Sequence, residues 1–596
     1  MANKTTFKLR THAADFEVLA SGFYFIAQEM GLVMERTARS PVYFSAHDFI
    51  SAILTPEGDL ISMAEYIPIL IGTTPFHVKA ITQYFGDDIN PGDVFLVNDP
   101  YTCEGGNHLA DWCIVYPVFY KGRLKYMIGQ KAHQQDSGGG IPGSYNPNAL
   151  DVWGEGLRIP PVKIIEHGQE RKDVLNLILT NVRVYETQRG DLLSLIGASK
   201  VGERRLVDLL DKYGEETVSI FITDLLDYAE FRIREEIDKV ADGTYHGETK
   251  GRGDVSPIVS DITIKGSNMI VDMRKSSPQV KECINSPIAN TYSALWMAIL
   301  TSLGKNIERQ YRNSGCFRPI KLLTTPGTIV HALVPATVGS CTLFIAKQII
   351  EIVWDALSKV VPEETSAGWG CPSLWSYSGV DPRRSEAYGT PDFLTGANGA
   401  GAIWGTDGWS TATCSINGGC LAIPEIEVVE SIYPLFREKW MWVTDSGGPG
   451  KWRGGLGIES VWVADAGSEP VYINSYGDPF GYEIVPVIKG GKLPPSNWRR
   501  LSFANGKEET DEDIRRVKFY DLHSGDKVLS FSQGGAGVGN PLERDIEAVR
   551  EDVRNELVSI KSARDDYGVM INPVTFEIAL SQTEKLREEM KKKQVK

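Results

Sequence analysis

The 596-residue chain is sparing with the features that betray several protein classes. Its eight cysteines, at 103, 113, 283, 316, 341, 371, 414 and 420, form no CxxC pair and no dense cluster, which argues against a zinc ribbon or a disulfide scaffold and for reduced, buried thiols. No run of roughly 18 apolar residues occurs, and the opening MANKTTFKLRTHAADF has no apolar stretch of the signal-peptide kind, so a cytoplasmic protein without a membrane span is expected. Basic residues are in deficit, 62 against 77 acidic for a net charge of −15, and no Lys/Arg block precedes the final KKKQVK; a phosphate backbone would be repelled, and nucleic acid is not an expected partner. A GxxxxGK[ST] loop is missing, as is any internal repeat.

The composition is that of a folded globular protein, 42% hydrophobic and 10% aromatic. At about 150 to 200 residues per domain the length predicts roughly three lobes. Residues 14 to 37 carry apolar side chains at helical spacing (Phe16, Leu19, Phe23, Ile26, Met30) and stop before Ser40-Pro41. Short β-rich runs such as FISAIL, VFLVN and WCIVYPVF follow, with a helical piece near His77 to Phe85. Helical periodicity dominates from Asp173 to Asp238, with Gly214 as a stop. A second β-rich stretch covers 245 to 274, then a helix at NTYSALWMAILTSLG and a Gly- and Trp-rich region from Ser366 to Gly419. Strands near IESVWVAD and KVLSFSQ and a charged terminal helix, TEKLREEMKKK, complete the chain. The expected architecture is multidomain α+β, with mixed, mainly antiparallel sheets and helices. The expected boundaries are 1–244, 245–432 and 433–596, the first lobe carrying the site described next.

Only nine histidines are present, yet two of them bracket one hairpin in NHLADWCIVYPVFYKGRLKYMIGQKAHQQD. A turn at Lys121-Gly122 makes antiparallel partners sum to about 243, which sets Asp111 opposite Ala132 and beside His133. His108 is three residues before Asp111, so His108, Asp111 and His133 can meet at the open end of the hairpin. Two imidazoles and a carboxylate with positions left open suit zinc or manganese, with iron as a further candidate. Taken singly, each histidine is better explained as a satisfied polar residue packed at a strand end. Asp136 and the glycines at 138 to 140, followed by PGS at 142 to 144, offer backbone N–H groups to a ligand, or form a plain loop.

Ordered motifs then point to one family. RTARSP (Arg36 to Pro41), HDFISAIL, PGDVFLVNDPY, NHLAD, AHQQDSGGGIPGS, GLRIPPVKI, SSPQV, DGWS, DSGGPGKWRGGLG, GGAGVGNP and DDYGV together resemble the hydantoinase B/oxoprolinase family over nearly the whole chain. The likeness in motif is greatest to the α-type subunits of acetone and acetophenone carboxylases. The resemblance implies a divalent metal on the His and Asp of an H-x-x-D motif and on a second His downstream, here His108, Asp111 and His133. It also implies that a separate hydantoinase A-type subunit binds ATP, with a small third subunit as a further partner. Two departures stand out: an expanded loop, NDPYTCEGGNH, and Gln134 where the hydantoinases carry a second His in AHHxD. The Gln form and IPPVKIIEHGQ resemble the acetone carboxylases, so the expected activity is ATP-dependent carboxylation of a ketone with bicarbonate. His133 and Asp136 are the expected catalytic residues, Asp136 orienting His133 or moving a proton. The alternatives are opening of a cyclic amide (a hydantoin, 5-oxoproline or lactam) on the same three ligands, and a non-catalytic scaffold.

Overall fold

A computed structural model of the chain describes residues 7–143, 145–249, 257–465, 467, 469–475 and 486–594. Ser144 of the PGS turn, residues 250–256 of the second β-rich stretch, the first six residues and the last two lie outside the described residues. The chain divides into two compact units, Met1–His246 with Val255–Ile349 and Cys420–Ala422, and Gly247–Asp254 with Ile350–Gly419 and Ile423–Lys596. The stretch 245–432, expected as a middle lobe, is therefore shared between them. Its helix Ile288–Ser302 belongs to the first unit. There the Ser293 hydroxyl donates to Ile69 O at 2.6 Å and accepts from Gly72 N at 3.1 Å.

The first unit is built on a seven-stranded antiparallel sheet, order β2-β1-β5-β4-β3-β6-β7. The strands are β1 (Phe49–Leu54), β2 (Leu60–Ala64), β3 (Val94–Val97), β4 (Asp111–Tyr120), β5 (Arg123–His133), β6 (Val162–Glu166) and β7 (Gln169–Glu170). FISAIL and LISMA are buried at every residue, because helices cover both faces and a strand covered on both sides has no polar side to show. Consecutive residues of β5 show the two covers: Gln130 Nε2 meets Met30 Sδ of the helix Ala13–Thr37, while Lys131 Nζ donates to Thr73 Oγ1 at 2.8 Å beside the helix Thr74–Phe85. The helices Tyr185–Tyr213 and Glu215–Ile237 are parted at Gly214, whose φ of 81° is open to glycine at little cost.

The hairpin turns on Lys121 (φ 49°) and Gly122 (φ 75°), both left-handed, as a two-residue turn between twisted strands requires. Tyr120 pairs with Arg123 and Phe119 with Leu124, so the expected sum of 243 holds at the tip. A bulge between Val118 and Phe119 then shifts the ladder by one, and Val118 pairs with Tyr126. Asp111 consequently lies directly across from His133, and Trp112 from Ala132. The one-residue slip improves the convergence, because directly opposed side chains share a face.

Among the described residues, the second unit holds two sheets. One comprises Trp375–Asp381, Glu386–Pro391, Val471–Ser475 and Phe519–Leu522, and the other Leu435–Trp442, Ile458–Ala464, Lys527–Ser532, Trp498–Ser502 and Glu508–Glu509. Their core is aromatic, with Trp375, Tyr377 and Trp462 almost fully buried. The glycine motifs DSGGPGKWRGGLG and GGAGVGNP serve packing: a Cβ on Gly454 would fall on the carbonyl of Gly535, so only glycine allows these backbones to touch. Arg453, weighed as an anion ligand, is buried, donates through Nη1 to Gly454 O at 2.7 Å and lies 3.8 Å from Asp552. Trp404 packs on Trp452, whereas Trp409 is 71% exposed.

Candidate metal centre

His108 lies in the loop three residues before β4 begins, Asp111 opens β4 and His133 closes β5. Asp111 N donates to His108 O at 3.1 Å, closing a tight turn, and Gln134 N donates to Ala110 O at 2.7 Å, continuing the ladder past the strand end. These backbone bonds put three ligand-type atoms within 4.8 Å of one another. Asp111 Oδ1 lies 2.9 Å from His108 Nε2 and 3.2 Å from His133 Nδ1, and all three residues are buried. The His108 Nδ1–H donates to Gly339 O at 2.7 Å. With that proton committed, a neutral His108 ring presents its lone pair at Nε2, toward Asp111.

Charge binds this set together. Burial alone would push the Asp111 carboxyl up, but the imidazoles of His108 and His133 and the ammonium of Lys131 hold it well below the usual carboxylate range. Burial works against a charged His108 as well, and the Asp111 charge outweighs it and raises the ring's pKa. Lys131 is 0% exposed, and burial lowers its pKa against the pull of Asp111. Its Nζ donates to Thr73 Oγ1 and Asn107 Oδ1 and stands 4.0 Å from Asp111 Oδ2. That Oδ2 is buried without a hydrogen-bond partner. Asp111 thus meets both imidazoles through Oδ1 and leaves its other oxygen, Oδ2, without a hydrogen bond; two imidazole nitrogens and a buried carboxylate form a donor set that fits a divalent ion of the zinc or manganese type.

Around the set stand residues that the sequence did not flag. Phe49 pairs with Ala132, which places Asp48 across from His133 on the side away from Asp111, and His133 N donates to Asp48 O at 3.0 Å. Burial pushes the Asp48 carboxyl up to about 6 against the pull of His133. Tyr145 lies against both rings, its centroid 5.5 Å from His133 and 5.6 Å from His108. Glu155 accepts from Val338 N and Gly339 N, beside the carbonyl that His108 uses. Only sequence neighbourhood could have hinted at Asp48, which sits in the quoted HDFISAIL; the others are joined to the set by the fold.

The remaining predicted residues sit one step away. Asp136 is buried and accepts from Arg183 N at 2.8 Å, Arg183 Nη1 at 3.0 Å, Gly143 N at 3.2 Å and Gly138 N at 3.3 Å, so it organises the glycine loop. Among the described residues, no bond joins it to His133. Gln134 points to the other face of β5, where its amide donates to Tyr43 Oη and Ala132 O and accepts from Gln188. No helix among the described residues is long and apolar enough to cross a membrane.

Comparison with known proteins adds three findings. The family model described as hydantoinase B/oxoprolinase matches residues 12–541. Caprolactamase subunit beta of Pseudomonas jessenii is 35% identical over 556 residues, covering 91% of this chain and 94% of that one, and the delta subunit of acetophenone carboxylase from Aromatoleum aromaticum is 26% identical over 609 residues, covering 91% and 84%. Among solved structures, the ATP-dependent caprolactamase of Pseudomonas jessenii matches with a TM-score of 0.88 at 32% identity, over 97% of this chain and all of that one.

Proposed function

Because the chain belongs to the hydantoinase B/oxoprolinase family, we propose that it is the metal-holding subunit of an ATP-dependent complex that opens a cyclic amide. The observation that carries this reading is the buried His108–Asp111–His133 set in a chain that matches a caprolactamase subunit almost end to end. The sequence favoured a ketone carboxylase on two features, the Gln134 form of the histidine motif and the stretch IPPVKIIEHGQ. On the first of these the structure bears. Gln134 spends its amide on Tyr43, Ala132 and Gln188 on the far face of β5, so it does not speak to the reaction at the ligand set. Identity of 35% to the caprolactamase subunit against 26% to the carboxylase subunit then favours the lactam class.

A divalent ion on His108, Asp111 and His133 would supply positive charge to polarise a substrate oxygen and to activate water. The chain's own residues prepare the place. Gly339 O fixes the His108 ring, Lys131 supports the Asp111 anion from behind, and Tyr145 covers the two imidazole faces. Asp136 enters this reading through the glycine loop it holds with Arg183, at the edge of the site. ATP is bound by a separate hydantoinase A-type subunit; a small third subunit, expected from the carboxylases, is not required by the amide reading.

ATP turnover by the reconstituted complex tests the assignment. Turnover stimulated by lactams, hydantoins or 5-oxoproline and indifferent to bicarbonate supports it. Turnover that needs a ketone and bicarbonate together replaces it with the carboxylase, and unchanged turnover in His108→Ala and His133→Ala makes the chain a scaffold.

A further inference from the structure

Glu155 is a carboxylate that no step above uses. It is 2% exposed, and among the described residues no Lys or Arg pairs with it. Its two oxygens are instead divided between consecutive amides, Val338 N at 2.8 Å from Oε2 and Gly339 N at 2.6 Å from Oε1. Burial makes the Glu155 carboxyl costly to ionise and pushes its pKa up to about 8, and the two short bonds from backbone amides act against that rise. The same Gly339 offers its carbonyl to His108 Nδ1 at 2.7 Å. A side chain from the loop after the hairpin therefore grips the backbone segment that orients a ligand-type histidine on the hairpin. The fit is close: a Cβ on Gly339 would come 2.9 Å from Glu155 Oε1. The charge of His108 also acts, more weakly than burial, against the rise of the Glu155 pKa, so the two groups sense one another beyond their shared residue.

We propose that Glu155 is the positioning residue of the metal centre: by clasping the Val338 and Gly339 amides it fixes the carbonyl that takes the His108 Nδ1 proton, so that Nε2 is the ring atom presented to an ion. This inference rests on the metal-centre reading above. Glutamine at 155 keeps the volume but turns an NH2 group toward one of two N–H donors, which opens one side of the clasp. The peptide can then drift, and with it the acceptor that holds the ring.

The experiment is a chelator-competition titration of the full chain with Mn(II) and with Zn(II), alongside the visible spectrum of the Co(II)-substituted protein. Wild type, His108→Ala, Glu155→Gln and Gly339→Ala are compared. The expected result is binding by wild type, loss in His108→Ala, and affinity about 10- to 100-fold weaker in Glu155→Gln with an altered Co(II) spectrum, at unchanged circular dichroism. Gly339→Ala, which presses on the clasp from the opposite side, weakens binding in the same sense and serves if Glu155→Gln does not fold. Wild-type affinity and spectrum in either folded variant overturn the positioning role, since a carboxylate that merely stabilised the loop would lower the melting temperature and leave the ion untouched. Failure of wild type to bind either metal falls on the metal-centre reading itself.

Discussion

Replacing Asp111 by Asn should destabilise the metal-free protein through Lys131 as well as through the histidines. Lys131 is fully buried, and its ammonium has Asp111 Oδ2 at 4.0 Å with only the neutral oxygens of Thr73 and Asn107 bonded to it. Asparagine preserves the shape and removes the charge that balances both this ammonium and the two imidazoles. Removing one partner of a buried pair costs about 3–5 kcal/mol, because the other charge stays behind uncompensated. At about 2 °C per kcal/mol for a large cooperative unit, the melting midpoint of the metal-free variant should fall by about 6–10 °C. Lys131→Met in the same chain removes the stranded charge, so the double variant should regain about half of the loss or more, a coupling of about 2 kcal/mol. Differential scanning fluorimetry in the presence of a chelator measures all four proteins. A metal-free Asp111→Asn melting within about 2 °C of wild type, or a double variant no better than the single, would refute the claim that Lys131 and Asp111 are one electrostatic unit.

Three further outcomes follow from named contacts. Asp111 raises the His108 pKa above its ordinary value, so the ring holds a proton that an ion must displace; the increase in melting temperature on adding Mn(II) or Zn(II) should be small near pH 6 and grow toward about pH 8, and a flat profile would contradict this sign. In the second unit, Arg544 binds both oxygens of Asp407 at 2.7 Å and Asp552 at 2.8 Å, so Arg544→Met should cost about 3 kcal/mol, seen as faster hydrogen exchange around 407–410 and 544–553. Gly72→Ala would set a Cβ 2.6 Å from Ser293 Oγ and 2.7 Å from its Cα, and the backbone contact leaves nowhere to yield; a loss of about 1–3 kcal/mol is expected, and a neutral effect would mean the helix Ile288–Ser302 moves freely.

What the sequence revealed and what it hid follow from range of interaction. The helix Ala13–Thr37, the buried strand FISAIL and the stop at Gly214 are written in neighbouring residues, through period, apolar runs and one left-handed glycine. His108, Asp111 and His133 could be brought together because a two-residue turn and a ladder are local rules; the arithmetic slipped by one because the bulge at Val118/Phe119 depends on how the sheet twists against its covering helices. Lys131, two residues before His133, was visible and unread, since only the sheet's second cover shows that its ammonium is buried behind Asp111. Glu155 and Gly339 meet across a separation of 184 residues, and nothing in either local stretch announces the contact.

The same reasoning explains why the ligand set identifies a chemistry and not a substrate. Two imidazoles and a carboxylate present the same charge to a lactam carbonyl and to a ketone. Discrimination must come from side chains that touch the rest of the substrate, and Gln134, one of the two features that separated the readings in sequence, lies on the opposite face of β5 in contact with Tyr43 and Gln188. Tyr145 is the side chain whose ring lies against those of His133 and His108, at 5.5 and 5.6 Å. A side chain that changes between lactam and ketone enzymes would therefore be sought beside Tyr145, whose ring lies against both imidazoles, and not at Gln134, whose amide is spent on Tyr43, Ala132 and Gln188.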